Sequence, residues 1–295
     1  LIFDPGTHYQ YCNSGFMLMA FIAEKATGKS WQKLIDQIIN EPSGLNFQLM
    51  KYAADLPETA PIVDFEGGTF KEIPAWVYVI GDGGLTATAE SLARFPFYWA
   101  NEKIISMGAY EAMIARKKLN DGTRTGYGFG VRSGAFLGEP IIGHTGGWKS
   151  TYAIMAYFPE REMTFVGLMN TDGTPASMTE IFVQYMSVVL DKSYPDFKSK
   201  SVTLQDADRF AGQYHGYDQQ FDHIGKIITI DLKDDQLYYC LNEYCEPLYY
   251  LGENKFWLVS FPFDFIEFEI DSSGEVSAVN EFYYGFFQTF RKRKM

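Results

Sequence analysis

Two short clusters hold the residue types that acyl-transfer chemistry uses, and the first is Tyr11-Cys12-Asn13. A tyrosine can act as a general base if a neighbouring cation lowers its pKa from about 10. Asn13 can orient a substrate amide because its side chain offers both a donor and an acceptor. The structural alternative is that Tyr11 packs in a core and Asn13 caps the helix that follows. These three residues alone favour that alternative.

The second cluster is Gly143-His144-Thr145-Gly146-Gly147. The glycines let a substrate approach the backbone, and the N–H of Gly147 could form half of an oxyanion hole. The Thr145 hydroxyl can bind a carboxylate or carbonyl, and His144 can donate a hydrogen bond to a substrate or to a tyrosinate. A tight turn with a surface histidine explains the same residues equally well.

A glycine-rich segment, Gly81-Asp82-Gly83-Gly84-Leu85, precedes a predicted helix. Adjacent glycines indicate backbone that packs closely against a site. A phosphate cradle is the competing hypothesis, and it is weak because no Lys-Ser/Thr pair follows the glycines.

The sole Ser-x-x-Lys of the chain joins Ser30 to Lys33. A nucleophile and its base must lie in contact, with the lysine desolvated enough to lose its proton. The helix predicted after Ser30 buries a stripe that begins at Trp31, and Lys33 falls nearly opposite the middle of that stripe. The spacing therefore predicts that Ser30 caps the helix and that Lys33 is solvated.

The elements that must position these clusters follow from periodicity. Apolar spacing predicts helices over 13–27, 31–40, 89–100, 107–117 and 175–190, with segment 41–84 rich in loops. Residues 126–131 read as a strand, and 151–158 and 163–170 as a hairpin. We expect one domain over residues 1–190, a linker over 191–203, and seven or eight short antiparallel strands over 204–295 that form a small barrel or sandwich.

Composition excludes several classes of protein. The 295 residues are 46% hydrophobic, carry a net charge of −12, and contain no run near the roughly 18 apolar residues of a membrane span. That charge argues against a nucleic-acid partner, and the basic residues at 291–294 read as a solvated tail. The histidines and cysteines lack metal-site spacing, so we expect neither a metal nor another cofactor. Cys240 and Cys245 could pair or remain free thiols.

Taken together, the clusters resemble the serine β-lactamase-like superfamily, which includes class C β-lactamases, D-alanyl-D-alanine peptidases and related esterases. "FDPGTHYQYCNSGFMLMAFIAEKATGKSWQKLIDQIINEPSGL" looks like its Tyr-x-Asn segment, and "GDGGLTATAESLARF" looks like its Gly-Gly-Leu loop and helix. "GHTGGWKSTYAIMAYFPEREMTFVGLMN" looks like its third motif, with His-Thr-Gly in place of Lys-Thr-Gly, followed by the central hairpin. The resemblance covers residues 1 to about 190, and residues 204–295 look like the lipocalin-like β-barrel often appended to this family.

The resemblance implies an α/β (α+β) domain with an antiparallel sheet, and roles for particular residues. Tyr11 matches a general base and Asn13 a substrate-orienting residue; His144, Thr145 and Gly146 match the third motif. Gly147 matches the oxyanion-hole position. A serine hydrolase acting on an ester, amide or D-amino-acid peptide through an acyl-enzyme is then expected. Because the motif residue His144 is not a permanent cation, a substrate carboxylate is disfavoured as the main handle.

The resemblance also leaves the nucleophile unassigned. In this family the Ser-x-x-Lys motif lies upstream of Tyr-x-Asn, so we expect the natural N-terminus to be missing and residues 1–295 alone to be inactive. The fragment would then expose apolar surface, and it could associate with its missing segment or form a homodimer. The alternatives are a catalytically inactive β-lactamase-like binding module and a structural scaffold. Family members are mostly exported in bacteria, and we expect the same here.

Overall fold

A computed structural model describes most of the chain in atomic detail. It describes residues 3–7, 9–50, 59–74, 79–101, 103–120, 122, 125–171, 177–192, 204–216, 226–258, 265–283 and 286–292. Most of the predicted linker, 193–203, lies outside these ranges. Within them, no helix is long and apolar enough to cross a bilayer.

Helix α1 begins directly after Cys12 and ends at Gly28, which takes the left-handed conformation (φ 68°) that glycine adopts without strain. The next helix begins at Trp31, continues through a π-helical turn over Asp36–Asn40, and ends at Gly44. The helices are α1 Asn13–Thr27, α2 Trp31–Ile35, α3 Glu41–Ser43, α4 Ala89–Ala100, α5 Met107–Ile114 and α6 Met178–Val189.

The first domain is built on four antiparallel strands in the order β5-β6-β7-β8. Alternation along β7 sends Ile154 and Phe158 to a core shared with Phe182 of α6, while Met155 packs on the opposite face with Trp99 of α4. Helices therefore cover both faces of the sheet. The strands of this domain are β1 Gln48–Leu49, β2 Ile62–Glu66, β3 Thr69–Ile73, β4 Leu85–Thr86, β5 Arg132–Phe136, β6 Glu139–Trp148, β7 Thr151–Phe158 and β8 Met163–Met169.

The C-terminal strands close into an antiparallel barrel. Each strand from β9 to β16 pairs with the next, and β16 returns to pair with β9. The described strands are β9 Gly212–Gly216, β10 Lys226–Lys233, β11 Gln236–Leu241, β12 Tyr244–Gly252, β13 Lys255–Leu258, β14 Phe265–Ile270, β15 Val276–Tyr283 and β16 Phe286–Lys292. Phe286 also pairs with Gly134, which joins the barrel to β5 of the first domain.

Several local predictions need correction. The glycine-rich segment 126–131 is not a strand: it forms a turn closed by one bridge between Tyr127 and Arg132. The segment 41–84 includes an unpredicted hairpin, β2–β3, whose turn is made by Gly67 and Gly68, both with positive φ. The alternative in which Asn13 caps α1 is wrong, because Cys12 occupies the N-cap position without a side-chain cap.

Candidate active site

The Gly-His-Thr-Gly-Gly cluster lies in β6, so the tight-turn alternative is wrong. Gly143 is required where β6 meets β7, because a Cβ there would lie 2.0 Å from the carbonyl oxygen of Met155. The residue after it, His144, pairs with Met155 across the strands and is half-buried. The absence of a side chain at Gly143 therefore lets β6 approach β7 closely and fixes the backbone that carries His144.

Tyr11 reaches this strand from the segment that precedes α1. Its ring centroid lies 6.2 Å from that of His144, and the two rings are inclined by 33°. The two clusters, more than a hundred residues apart in the sequence, thus meet at one place. Asn13, the first residue of α1, is half-buried, and no hydrogen bond to its side chain forms within the described part of the chain. Its amide is consequently not used as a helix cap.

Tyr127 joins the two motif residues, and sequence reasoning did not select it. Its hydroxyl lies 2.8 Å from Nε2 of His144, and its ring is 5.7 Å from that of Tyr11 in an edge-on arrangement. The two tyrosine rings are thus in direct contact. The site is therefore a cluster of three rings rather than a pair.

The protonation state of His144 follows from its partners. Nδ1 contacts the carbonyl oxygen of Thr145, which can only accept, so Nδ1 carries the proton. Burial, helped by the guanidinium of Arg132, lowers the pKa of His144 to about 4. His144 is therefore neutral near pH 7, and its unprotonated Nε2 accepts the hydrogen bond from Tyr127.

Two further side chains complete the cluster. Arg132 follows the turn on β5, opposite Gly143, and its guanidinium lies 5.9 Å from the ring centroid of Tyr127. Tyr9 packs 6.1 Å from the same ring, and its hydroxyl is buried without a hydrogen-bond partner in the described residues. Burial raises the pKa values of Tyr9 and Tyr127, because a tyrosinate in that environment would be poorly solvated.

The remaining predicted residues line the exposed end of β6. Thr145, Gly146 and Gly147 are solvent-exposed, and a Cβ at Gly147 would touch the ring of Tyr152 at 3.5 Å. The open surface here leaves the backbone accessible to a ligand. The glycine-rich loop that begins at Gly81 packs against helix α1, which starts within the Tyr-Cys-Asn cluster. A Cβ at Gly81 would lie 2.5 Å from a carbonyl oxygen of α1.

Ser30 occupies the place that the spacing predicts for a cap. Its hydroxyl accepts from the backbone N–H of Lys33 at 3.3 Å, and the Lys33 ammonium pairs with Glu41 at the surface. An exposed lysine that is paired with a carboxylate is not the desolvated base that would activate a serine. Ser30 and Lys33 therefore do not form a nucleophile–base pair. No group of three His, Cys, Asp or Glu side chains among the described residues is arranged to bind a metal.

No single-residue signal in the sequence identified Tyr127, Tyr9 or Arg132. Tyr127 and Arg132 enter the site because the β5–β6 register brings the turn before β5 against His144. The glycines that flank Tyr127 were a usable signal, since they mark a turn with close backbone contacts rather than a strand.

Comparison with known proteins gives consistent matches over the first domain. The family model described as Beta-lactamase matches residues 1–189. A D-aminopeptidase of Brucella anthropi is 25% identical over 194 residues, which cover 64% of this chain and 36% of that protein. Penicillin-binding protein 4* of Bacillus subtilis is 25% identical over 235 residues, which cover 72% of this chain and 52% of that protein. The chain thus spans between about a third and a half of these two relatives.

Structural comparison extends the likeness to the barrel. The octameric penicillin-binding protein homologue from Pyrococcus abyssi superposes with a TM-score of 0.58 at 22% identity, covering 97% of this chain and 66% of that chain. A penicillin-binding protein from Bacillus halodurans gives a TM-score of 0.54 at 17% identity over 63% of this chain and 58% of that chain. At these identities the comparison concerns the fold, which is the expected α/β domain followed by a β-barrel.

Proposed function

Because the chain belongs to the β-lactamase family, we propose that it forms part of a serine hydrolase that cleaves an amide, ester or D-amino-acid peptide through an acyl-enzyme. The observation that carries this proposal is the meeting of Tyr11 with His144, since the two residues come from remote motifs and both contact Tyr127, whose hydroxyl is hydrogen-bonded to His144. The names of the D-aminopeptidase relatives support a D-amino-acid amide or peptide as the substrate class.

The reaction assigns roles to four residues of the site. A serine oxygen attacks the substrate carbonyl carbon while Tyr11, as its tyrosinate, takes the serine proton. The N–H of Gly147 stabilises the resulting oxyanion, and Asn13 and Thr145 orient the substrate. Collapse breaks the bond to the leaving group, which takes the proton from Tyr11. Water then hydrolyses the ester by the same steps, and the serine recovers its proton.

We place the serine and its lysine on a segment outside residues 1–295. Ser30 supports this assignment, because its hydroxyl is used as a helix cap. Exposed apolar side chains support it as well: α1 presents Leu18 and Phe21 to solvent, and α6 presents Tyr185 and Val188. In the described part of the sheet β8 is an edge strand, so a further strand could pair there. These surfaces are the proposed binding surface for the missing segment.

The test uses the gene together with its upstream sequence. We expect a Ser-x-x-Lys upstream of Tyr11, covalent labelling of that serine by a fluorophosphonate, and hydrolysis of D-alanine p-nitroanilide. Tyr11→Phe should lower kcat about a hundredfold to ten-thousandfold. Tyr244→Phe, which removes the hydroxyl of an exposed tyrosine on β12 of the barrel, is the matched control and should retain activity.

Three results would overturn the proposal. An upstream sequence without Ser-x-x-Lys, or a complete protein that neither labels nor hydrolyses, favours the inactive binding module instead. Full turnover in Tyr11→Phe removes that residue from the mechanism. A labelled Ser30 in the 295-residue chain would return the nucleophile to this segment.

The state of the isolated chain provides a separate test of the binding surface. We expect residues 1–295 to bind 1-anilinonaphthalene-8-sulfonate strongly and the complete protein to bind it weakly. Light scattering then tests whether a second copy of the chain covers these surfaces instead of the missing segment. A compact homodimer that does not bind the dye would replace the missing-segment proposal.

We also propose that the parent protein is exported. Cys240 and Cys245 form a disulfide across β11–β12, and such bonds persist in oxidising compartments. Cell fractionation followed by thiol alkylation tests this: the protein should be periplasmic or secreted, with Cys12 as its alkylated free thiol. A cytoplasmic protein with reduced Cys240 and Cys245 would contradict the proposal.

A further inference from the structure

The hydroxyl of Tyr127 has one proton and two polar neighbours. His144 presents an unprotonated Nε2 at 2.8 Å, because its Nδ1 proton is held by the Thr145 carbonyl. Tyr127 must therefore donate to His144. The ring of Tyr11 is its other neighbour, edge-on with the two centroids 5.7 Å apart. In the resting site Tyr127 thus donates to His144.

Ionisation of Tyr11 changes this arrangement. A tyrosinate has no proton and can only accept hydrogen bonds. The single proton of Tyr127 can then turn from Nε2 of His144 to the Tyr11 oxygen, where it forms a charge-assisted hydrogen bond. The exchange requires rotation of the Tyr127 O–H bond.

The backbone holds the Tyr127 hydroxyl in place for this exchange. Its carbonyl accepts from the Thr125 hydroxyl at 3.0 Å, and the next residue, Gly128, donates to the carbonyl of Val131 at 2.8 Å. A Cβ on Gly128 would lie 1.9 Å from the carbonyl oxygen of Met113, so this turn packs directly against α5. These contacts fix the backbone on both sides of Tyr127, and a residue that positions another side chain needs such support.

We propose that Tyr127 is a positioning residue of the site, which holds His144 through Nε2 in the resting state and donates to Tyr11 when Tyr11 acts as the base. The proposal rests on the proposed role of Tyr11. It goes further by assigning the stabilisation of the tyrosinate to a residue outside the three motifs. Arg132 supplies the permanent positive charge that faces this cluster, and Tyr9 is the other titratable group in contact with it.

The first test uses the 295-residue chain and requires no activity. Nitrogen-15 NMR of the imidazole, assigned by loss of signals in His144→Gln, should show Nδ1 protonated and a midpoint near the pKa of about 4. Tyr127→Phe removes the hydrogen bond to neutral His144, so its midpoint should rise by about half to one pH unit. Tyr9→Phe is the matched control, since it removes a hydroxyl from the same cluster but none that contacts His144, and the midpoint should not move.

The second test uses the complete, active enzyme. Tyr127→Phe should lower kcat about tenfold to a hundredfold with little change in KM, because substrate binding does not use this hydroxyl. The tyrosinate loses a donor, so the acidic limb of the kcat–pH profile should move to higher pH. A variant that merely loosens the fold would lower kcat without moving that limb.

The outcomes separate this inference from the proposed function. An inactive complete wild-type enzyme overturns the hydrolase and the catalytic part of this inference, while the NMR experiment still decides the link between Tyr127 and His144. If the wild type is active and Tyr127→Phe shifts neither the His144 midpoint nor the pH profile, the positioning role is wrong. A shift of similar size in Tyr9→Phe would also contradict it.

Discussion

Replacing Tyr9 by phenylalanine should stabilise the protein, although the change is made within the site cluster. The Tyr9 hydroxyl is buried and has no hydrogen-bond partner among the described residues. Leaving such a group unpaired costs about 1–3 kcal/mol relative to its hydrated state. The aromatic ring packs against Tyr127 at 6.1 Å, and phenylalanine keeps that contact. We expect a gain near the lower end of the range, about 1 kcal/mol, because the Tyr9 side chain as a whole is only half-buried.

Urea unfolding at pH 7, followed by tryptophan fluorescence, measures this difference. Tyr127→Phe is the informative contrast, since it makes the same chemical change but leaves Nε2 of His144 without its donor, and it should lose about 1 kcal/mol. Tyr185→Phe on the exposed face of α6 should lie within about 0.5 kcal/mol of the wild type. A loss of stability in Tyr9→Phe would refute the reasoning, because it would mean that the hydroxyl has a partner in solution.

Two further predictions concern residues outside the cluster. Ser30→Ala should cost about 0.5–1 kcal/mol in urea unfolding through loss of the cap on the Lys33 N–H, and it should leave fluorophosphonate labelling of the complete protein unchanged. Hydrogen bonds from Arg161 and Lys192 lower the pKa of Glu139 to about 2. The ionised Glu139 therefore stabilises the folded protein fully above the ordinary pKa of 4.5, and this stabilisation is lost as the pH falls to about 2. Glu139→Gln should therefore be less stable than the wild type at pH 7, and the gap between their urea midpoints should close near about pH 2; a gap that is independent of pH would exclude this ion pair as its cause.

The fold could be predicted where a short-range pattern determines it. Helix α1 and the β7–β8 hairpin have apolar residues at the spacing of their elements, and the structure confirms both. The cap of α1 could not be predicted from composition, because Cys12 takes that position without a side-chain hydrogen bond. The β2–β3 hairpin was predictable in principle: Gly67-Gly68 between two β-rich runs is a strong turn signal. The prolines around it, Pro57, Pro61 and Pro74, favour loops and obscure that signal.

Only the site residues that lie in short sequence motifs were predictable. Tyr11 and His144 could be selected because each lies in a short pattern, and the structure brings them together. Their catalytic roles stay predictions. Tyr127 could not be selected, because its contact with His144 depends on the register of β5 against β6 and on a turn that packs against α5. Tertiary contacts of this kind leave no periodic trace in one sequence.

The position of Arg132 changes the argument about substrate charge. From the sequence, a histidine in place of the motif lysine removes a permanent cation and disfavours a substrate carboxylate. In the structure Arg132 lies opposite Gly143 on the neighbouring strand, and its guanidinium helps to keep His144 uncharged. A permanent positive charge is therefore present at the site, on β5 instead of β6. A neutral His144 can form hydrogen bonds and Arg132 carries a charge, and one lysine would combine these two properties. The substitution of His144 alone consequently gives no reason to exclude substrates that carry a carboxylate.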